Sequence, residues 1–587
     1  MAIDNPPCDR DAEALQLIEE MTSNADSIQE QLLAQILEEN KEVEYFKRFK
    51  LDGATDRKTF KSKIPVITYE DIRSDIQRIA DGDRSTILSV HPILEFFTSS
   101  GTSSDERKLI PVVKGEIDRR LSCSRLTSAV INSSVPGSDK GKGLYFYFVK
   151  SETRTAGGLV AQPATSYYLK SDKFKKIMSE AKVYTSPIES ILCPDSFQSM
   201  YTQLLCGLLD RHQVVKIGAV FSSSLIRIIK FLQLNWQELV HDIMSGTLNK
   251  RVIDPSIRNC IDKILKPDPE FAELIRVECS KENWEGIIKR IWPGTKYLDV
   301  IVTGGMAQHV PTLEYYSGGL PLASICYASS ECSIGINLNP LCKPSDVSYT
   351  IIPNTAYFEF LPHDCDSSGL ICDSPPKLVD LVDVEVGKEY EIVVTTFAGL
   401  YRYRVGDILR VSGFHNSSPQ FQFIGRKNVL LGININETEL QIAIDNAAQI
   451  LSKYNTSVVE YTTYADTKTD PSHYVIYLEL LIKDSSSSLS NEIMSQCCLA
   501  IEESLNSVYR QGRFEYYWLG PLEIRVVKIG TFEELMDYSI SSRGASINQY
   551  KVPRCVNLTS MVEILDSNVL SAYFSPSVPY WTLEKRR

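Results

Sequence analysis

Short apolar runs that stop at turns constrain this chain most. Tyr297-Leu298-Asp299-Val300-Ile301-Val302 breaks off at Thr303-Gly304-Gly305, and Leu322-Ala323-Ser324-Ile325-Cys326-Tyr327 runs into a serine pair; Tyr390-Glu391-Ile392-Val393-Val394-Thr395 is a third. Runs of this length, rich in Val and Ile, predict buried strands, and helical segments lie between them. Strands separated by helices predict an α/β fold, in which ligands gather at the carboxyl ends of strands. A chain of 587 residues has room for more than one such unit.

The flanks read differently. Ile28, Leu32, Leu33, Ile36 and Leu37 form an amphipathic helical stripe, with Ser27 and Glu30 at capping-box spacing in front of it. Residues 365–376, rich in Asp, Ser and Pro, read as a surface loop. After Gly425-Arg426-Lys427 the texture changes. A helix is predicted over 437–450, a strand over 473–481, a Ser-rich loop over 485–490, a helix over 491–509, a strand over 522–527 and a helix from Phe532. That predicts a small α+β domain, with the division at 1–425 and 426–587. There is no internal repeat.

Charge narrows the partners. Against 62 basic side chains stand 74 acidic ones, a net charge of −12 and a pI near 5.3. Nucleic-acid binders and proteins held to anionic membranes by charge carry the opposite balance. No apolar run reaches signal-peptide or membrane-span length. The 14 cysteines are scattered, without the paired Cys-x-x-Cys spacing of a zinc site. They predict free thiols and a reducing, cytoplasmic setting.

Five local motifs carry chemistry. In Phe97-Thr98-Ser99-Ser100-Gly101-Thr102-Ser103, followed by Arg107-Lys108, hydroxyl and amide donors surround a glycine, a pattern suited to a polyphosphate. It lacks the second glycine and Lys-Ser/Thr ending of a P-loop, and taken alone it reads as a solvated turn. Tyr327-Ala328-Ser329-Ser330-Glu331 places an aromatic at a strand end, where it can stack on a purine, and a carboxylate that can hold Mg²⁺. Alone it reads as a buried tyrosine beside a capping serine. Tyr403-Arg404-Val405-Gly406-Asp407 offers a carboxylate for two ribose hydroxyls. Gly425-Arg426-Lys427-Asn428 lies at the domain division, and Asn548-Gln549-Tyr550-Lys551-Val552-Pro553-Arg554 brings a late lysine.

In this order the motifs resemble the adenylate-forming superfamily of acyl-CoA ligases, luciferase and adenylation domains. Within it, 99–108, 327–331, 403–407, 298–303, 311–319 and 544–555 resemble the plant Gretchen Hagen family of acyl acid amido synthetases, over essentially the whole chain and nearest its auxin-conjugating branch. The resemblance implies a large luciferase-like N-terminal domain and a smaller mobile α+β C-terminal one. It implies adenylation of a hormone acid, most closely indole-3-acetic acid, by ATP with Mg²⁺, then transfer to an amino acid as an amide, within auxin homeostasis. By motif, Ser99, Ser100 and Thr102 contact phosphates, Tyr327 and Tyr357 flank adenine, Ser330 and Glu331 lie by the nucleotide with Glu331 toward Mg²⁺, and Asp407 binds ribose. Lys551 swings in as the catalytic lysine, and Arg120 meets the acyl carboxylate. Ser124, Thr127, Ile325, Cys326 and Ser333 line the acyl pocket.

There are departures from that family. Asp105 stands where the loop carries glycine, Cys326 where the branch carries methionine, Ser333 where it carries tyrosine, and His309 where tyrosine is more usual. The stretch 432–436 is shorter than the family's. These motivate an alternative, a weakened relative that binds acid or nucleotide without efficient turnover. A serine hydrolase is not supported, since there is no Gly-x-Ser-x-Gly elbow. The conjugated amino acid, the base for its amine and the oligomeric state have no signal in the sequence.

Overall fold

The computed structural model describes residues 9–99, 107–150, 152–181, 183–363, 377–430, 433–469, 471–482, 489–514, 519–542, 546–548 and 550–576. The expected strand at 297–302 is there as Tyr297–Ile301, in a four-stranded sheet with Lys142–Tyr145, Val214–Phe221 and Leu322–Ala323. All three pairings of this sheet are parallel. One face is buried under helices that include Ser196–Leu209, Ser222–Ser245 and Pro269–Cys279, where Leu298 and Val300 join a large apolar cluster.

The second run is two strands rather than one. Leu322–Ala323 closes the parallel sheet, while Cys326–Ala328 forms the edge of another. Buried Ser324 marks the break: its hydroxyl meets Tyr349 Oη at 2.8 Å and its carbonyl accepts from Asn337 Nδ2 at 3.1 Å. Side-chain bonds therefore replace the ladder at that point. The third run, Glu389–Thr395, belongs to the larger sheet. That sheet has nine strands, ordered Val379–Asp380, Tyr357–Pro362, Glu389–Thr395, Tyr403–His415, Ser418–Leu430, Tyr349–Ile351, Ser333–Ile336 and Cys326–Ala328, with Ile433–Asn436 paired to Ser418–Leu430 off this path. Its pairings are all antiparallel, in contrast to the four-stranded sheet.

The amphipathic stripe forms the helix Ala25–Glu39 and packs on the nine-stranded sheet, with Leu32, Leu33, Ile36 and Leu37 buried. Its cap is Asn24, not Ser27, because the preceding helix Asp9–Ser23 ends one residue earlier and Ile28 N bonds to Asn24 O at 3.0 Å. The expected loops at 365–376 and 485–490 lie largely outside the described residues.

The small C-terminal unit orders Thr456–Asp466, His473–Ile482, Glu523–Val527 and Val569–Phe574 in one sheet, under the helices Glu437–Ser452 and Asn491–Ser504. The helix expected over 491–509 breaks at Leu505, and Asn506 Oδ1 caps Tyr509 N at 3.1 Å to start Ser507–Phe514. Position 425/426 falls inside the strand Ser418–Leu430. That strand pairs with Tyr403–His415 on one side of the division and with Ile433–Asn436 on the other. Gly425 there has φ +149°, and a Cβ on it would lie 2.8 Å from Glu437 Cβ, so the close approach of the helix Glu437–Ser452 requires glycine.

Candidate active site

The phosphate-loop motif begins as a hairpin. Glu95–Thr98 pairs antiparallel with Leu109–Val112, and the pairing continues one step outward, with Ser99 N donating to Lys108 O and Lys108 N to Ser99 Oγ, both at 3.1 Å. Ser99 is thus fixed at the loop's base. Ser100, Thr102 and Asp105 lie outside the described residues. The Lys108 ammonium sits over two rings, 5.7 Å from the centre of Tyr69 and 6.0 Å from that of Tyr403. Tyr403 opens the strand that carries Asp407. A cation–π pair therefore joins the first motif to the third.

The third motif meets the second directly. Tyr327 Oη donates to Asp407 Oδ2 at 2.8 Å. In the sheet order three strands separate Cys326–Ala328 from Tyr403–His415, and a flat sheet would hold them about 19 Å apart. The sheet must curl back on itself to bring the side chains together, and bulges in the Tyr403–His415 pairing accommodate that. Tyr327 is 8% exposed, with Tyr349 at 5.5 Å and Phe423 edge-on at 5.8 Å, so its hydroxyl orients Asp407 while most of its ring is enclosed.

Arg120, on the helix Glu116–Ser134, closes the circuit. Its Nη1 and Nη2 donate to the carbonyls of Ser329 (3.1 Å) and Ser330 (2.9 Å), and its Nε to Glu116 Oε1 (2.8 Å). Its Cζ lies 5.0 Å from the centre of the Phe97 ring, back at the phosphate loop's first strand. A guanidinium has five N–H donors, and three are accounted for here. Ser330 and Glu331 therefore hang from a turn pinned by Arg120, with Glu331 N bonded to Ser329 Oγ at 3.3 Å. Among the described residues no group of three or more metal-capable side chains occurs. A single carboxylate fits Mg²⁺ where substrate phosphates supply the remaining oxygens.

The residues expected to line the acyl pocket divide. Cys326 packs against the buried cluster that holds Cys123 and Ile325, and Ser333 is buried on the neighbouring strand. The Cys326 thiol is pushed well above its ordinary range by its hydrogen bond to Cys123 and by burial. Cys123 is held below its ordinary range by the same bond, against its burial, with Ser333 and Arg120 helping. Thr127 is half-buried and turned to its own helix, bonding Ser124 O at 2.8 Å. Ser124 is exposed, and its carbonyl also takes Ser128 Oγ, so neither hydroxyl is tied to Cys326 or Ser333. Tyr357 is also apart: 1% exposed, it packs edge-on to Phe60 at 6.2 Å and donates to Asp380 Oδ1 at 3.1 Å. Those contacts belong to the core under the N-terminal helices and do not join Tyr357 to the Tyr327–Asp407 pair.

Lys551 lies at the carboxyl end of a parallel strand, its Nζ 4.7 Å from the centre of the Phe221 ring. Neighbouring bonds seat this segment: Asn548 exchanges bonds with the backbone of Phe148, and Ser224 Oγ donates to Ile547 O at 2.8 Å. No motif marks Lys150. It follows Phe148 by two residues, and burial together with the nearby Arg107 charge lowers its ammonium to about 8, a partly dehydrated cation beside the phosphate loop.

The chain is similar to known proteins along its length. The family model described as the GH3 family N-terminal domain matches residues 14–322, the GH3 family central domain matches 349–426 and the GH3 family C-terminal domain matches 438–560. A probable indole-3-acetic acid-amido synthetase, GH3.1 of Arabidopsis thaliana, is 63% identical over 587 residues, 99% of this chain and 98% of that protein. The indole-3-acetic acid-amido synthetase GH3.8 of Oryza sativa subsp. indica is 58% identical over 581 residues, 98% of this chain and 96% of that protein. The solved GH3.15 acyl acid amido synthetase superposes with a TM-score of 0.89 at 45% identity, covering 99% of this chain and 100% of that one. A 2-hydroxyisobutyryl-CoA ligase in its postadenylation state, 11% identical with a TM-score of 0.50 over 92% of this chain and 91% of its own, shares the fold.

Proposed function

Because the chain belongs to the GH3 family, we propose that it is an ATP-dependent acyl acid amido synthetase that joins an auxin-like acid, indole-3-acetic acid foremost, to an amino acid. The observation that carries this reading is the closed circuit of contacts from Ser99 and Lys108 through Tyr403, Asp407, Tyr327 and the Ser329–Ser330 turn to Arg120 and Phe97. These contacts link residues far apart in sequence, and they support a reading in which phosphate, ribose and carboxylate are bound side by side.

A carboxylate is a poor electrophile, so the acid's oxygen first attacks the α-phosphorus of ATP and pyrophosphate leaves. The amine nitrogen of the amino acid then attacks the acyl carbon, AMP leaves and the nitrogen gives up a proton. The protein's part is positioning and charge stabilisation. In our reading Ser99 with Ser100 and Thr102 holds phosphate, Asp407 holds ribose, and Arg120 offers its remaining N–H groups to the acyl carboxylate. Glu331 is the carboxylate that would help hold Mg²⁺, which would offset phosphate charge, and Cys326, Ser333 and Ile325 form the inner acyl wall. Residues 1–425 act as the large body and 426–587 as the moving cap that carries Lys551 to the adenylation step. The free thiols among the described residues suit a cytoplasmic setting.

Pyrophosphate exchange into ATP, run over a panel of acids, tests the first half-reaction, and AMP release with each amino acid tests the second. Exchange that depends on an indole acid supports the reading. Tight acid binding without exchange would instead support the weakened relative.

A further inference from the structure

We propose that Arg554 is a positioning residue: a plug on the C-terminal unit that seats in a socket made by Gly304 and Gly305, and so sets the cap in the arrangement that presents Lys551. This rests on the reading of Lys551 given above. The sequence motif that contains both residues assigns nothing to Arg554.

The plug is assembled before it docks. Arg554 and Glu460 both belong to the C-terminal unit, are 4% and 5% exposed, and pair at 2.7 Å, while Arg554 Nη1 also holds Tyr461 O at 2.7 Å and its Cζ lies 4.2 Å from the centre of the Tyr461 ring. These bonds travel with the cap. Two bonds leave the unit: Nη2 donates to Gly305 O at 2.9 Å, and Glu460 Oε1, the oxygen that Arg554 Nη1 already holds, also accepts from Gln308 Nε2 at 2.6 Å. His309, next along, stands 3.9 Å from Glu460. A buried charge pair adds little net stability, but misplacing it is costly, which makes such a pair a discriminator between arrangements.

The socket is shaped for it. Gly304 and Gly305 follow the strand Tyr297–Ile301, at the carboxyl end of the parallel sheet. A Cβ on Gly304 would strike the Phe423 ring at 2.7 Å, and a Cβ on Gly305 would lie 3.2 Å from Arg554 Nε. Phe423 in turn packs edge-on to Tyr327, whose hydroxyl holds Asp407. The socket floor is therefore one ring away from the candidate nucleotide site. Three residues before Arg554, Lys551 lies over Phe221 at the end of the adjacent parallel strand.

Gly305 lacks the left-handed φ that Gly304 has (+60°), so Gly305→Ala adds a methyl group against the plug without backbone strain. The test compares wild type, Gly305→Ala, Arg554→Lys and Lys551→Ala. Two half-reactions are read separately: acid-dependent ATP–pyrophosphate exchange, and AMP release from supplied acyl-adenylate with amino acid. Amide hydrogen exchange over 301–309 and 546–556 reports seating of the plug. For Gly305→Ala and Arg554→Lys we expect faster amide exchange in both segments. Adenylation should fall about tenfold, with AMP release from the supplied adenylate falling less than about twofold. Unchanged amide exchange in both variants overturns the plug and socket whatever the activity. So does an equal loss of both half-reactions with loosened segments, which marks a merely structural contact. If Lys551→Ala leaves adenylation intact while the plug variants loosen the cap, the reading of Lys551 fails and the socket stands.

Discussion

Replacing Tyr327 with phenylalanine separates two roles that the sequence assigned to one ring. If the tyrosine serves only as a surface for the purine, phenylalanine keeps that surface. The structure instead engages the hydroxyl: it donates to Asp407 Oδ2 at 2.8 Å, with Tyr327 8% and Asp407 3% exposed. A hydrogen bond to a charged group is worth about 1.5–3 kcal/mol. At ~2 kcal/mol the loss corresponds to a factor of about 30 in an equilibrium constant at 25 °C. We expect Tyr327→Phe to lower unfolding free energy by ~2 kcal/mol in urea titration, and to raise KM for ATP in the exchange assay by about tenfold as Asp407 loses its orientation. The KM for acid should move much less. An unchanged KM for ATP together with an unchanged denaturation midpoint would refute the claim that this hydroxyl positions the carboxylate.

Arg120→Lys keeps the charge but loses the planar fork that spans the Ser329 and Ser330 carbonyls. It should raise KM for acid about tenfold in the exchange assay, and a change in KM for ATP alone would contradict the assignment. Lys551→Ala should depress adenylation far more than AMP release from supplied acyl-adenylate, and equal effects would remove its swinging role. For Lys150, burial and then Arg107 lower the ammonium from 10.5 to about 8. The charged form prevails below that value and is lost above it, so an anionic ligand favours the protonated lysine and its binding takes up a proton near pH 8. KM for ATP should therefore rise between about pH 7 and 9 in wild type, and be raised and flat over that range in Lys150→Met. A parallel rise in both would exclude Lys150 from the phosphate site.

The parts of this molecule legible in the sequence are those governed by local chemistry. Runs such as 297–302 and 473–481 announce strands because burial demands apolar side chains there, and the motifs at 97–103, 327–331 and 403–407 announce binding because unusual residue types crowd into turns. Their convergence was legible through resemblance. Its physical means was not, since a sheet that curls until Tyr327 touches Asp407 leaves no local trace. The break at Ser324 was invisible for a related reason: an apolar run does not say which of two sheets each half joins. Ser124 shows the limit of residue type alone, because a serine on a helix reads the same whether it faces a pocket or the surface. Arg554 and Lys150 were missed because single cations look like solvated charges until burial is known.

The strand Ser418–Leu430 has one more consequence. Because it passes unbroken from the great sheet into the hairpin that leads to the cap, the two bodies share a stiff ribbon and not a slack tether. In the cycle proposed above, that ribbon restricts the cap's travel, and Gly425, with φ +149°, is the link in it whose backbone only glycine readily adopts. In that proposed cycle, a restricted path would bring Lys551 back to the same place each time without a search through open solvent.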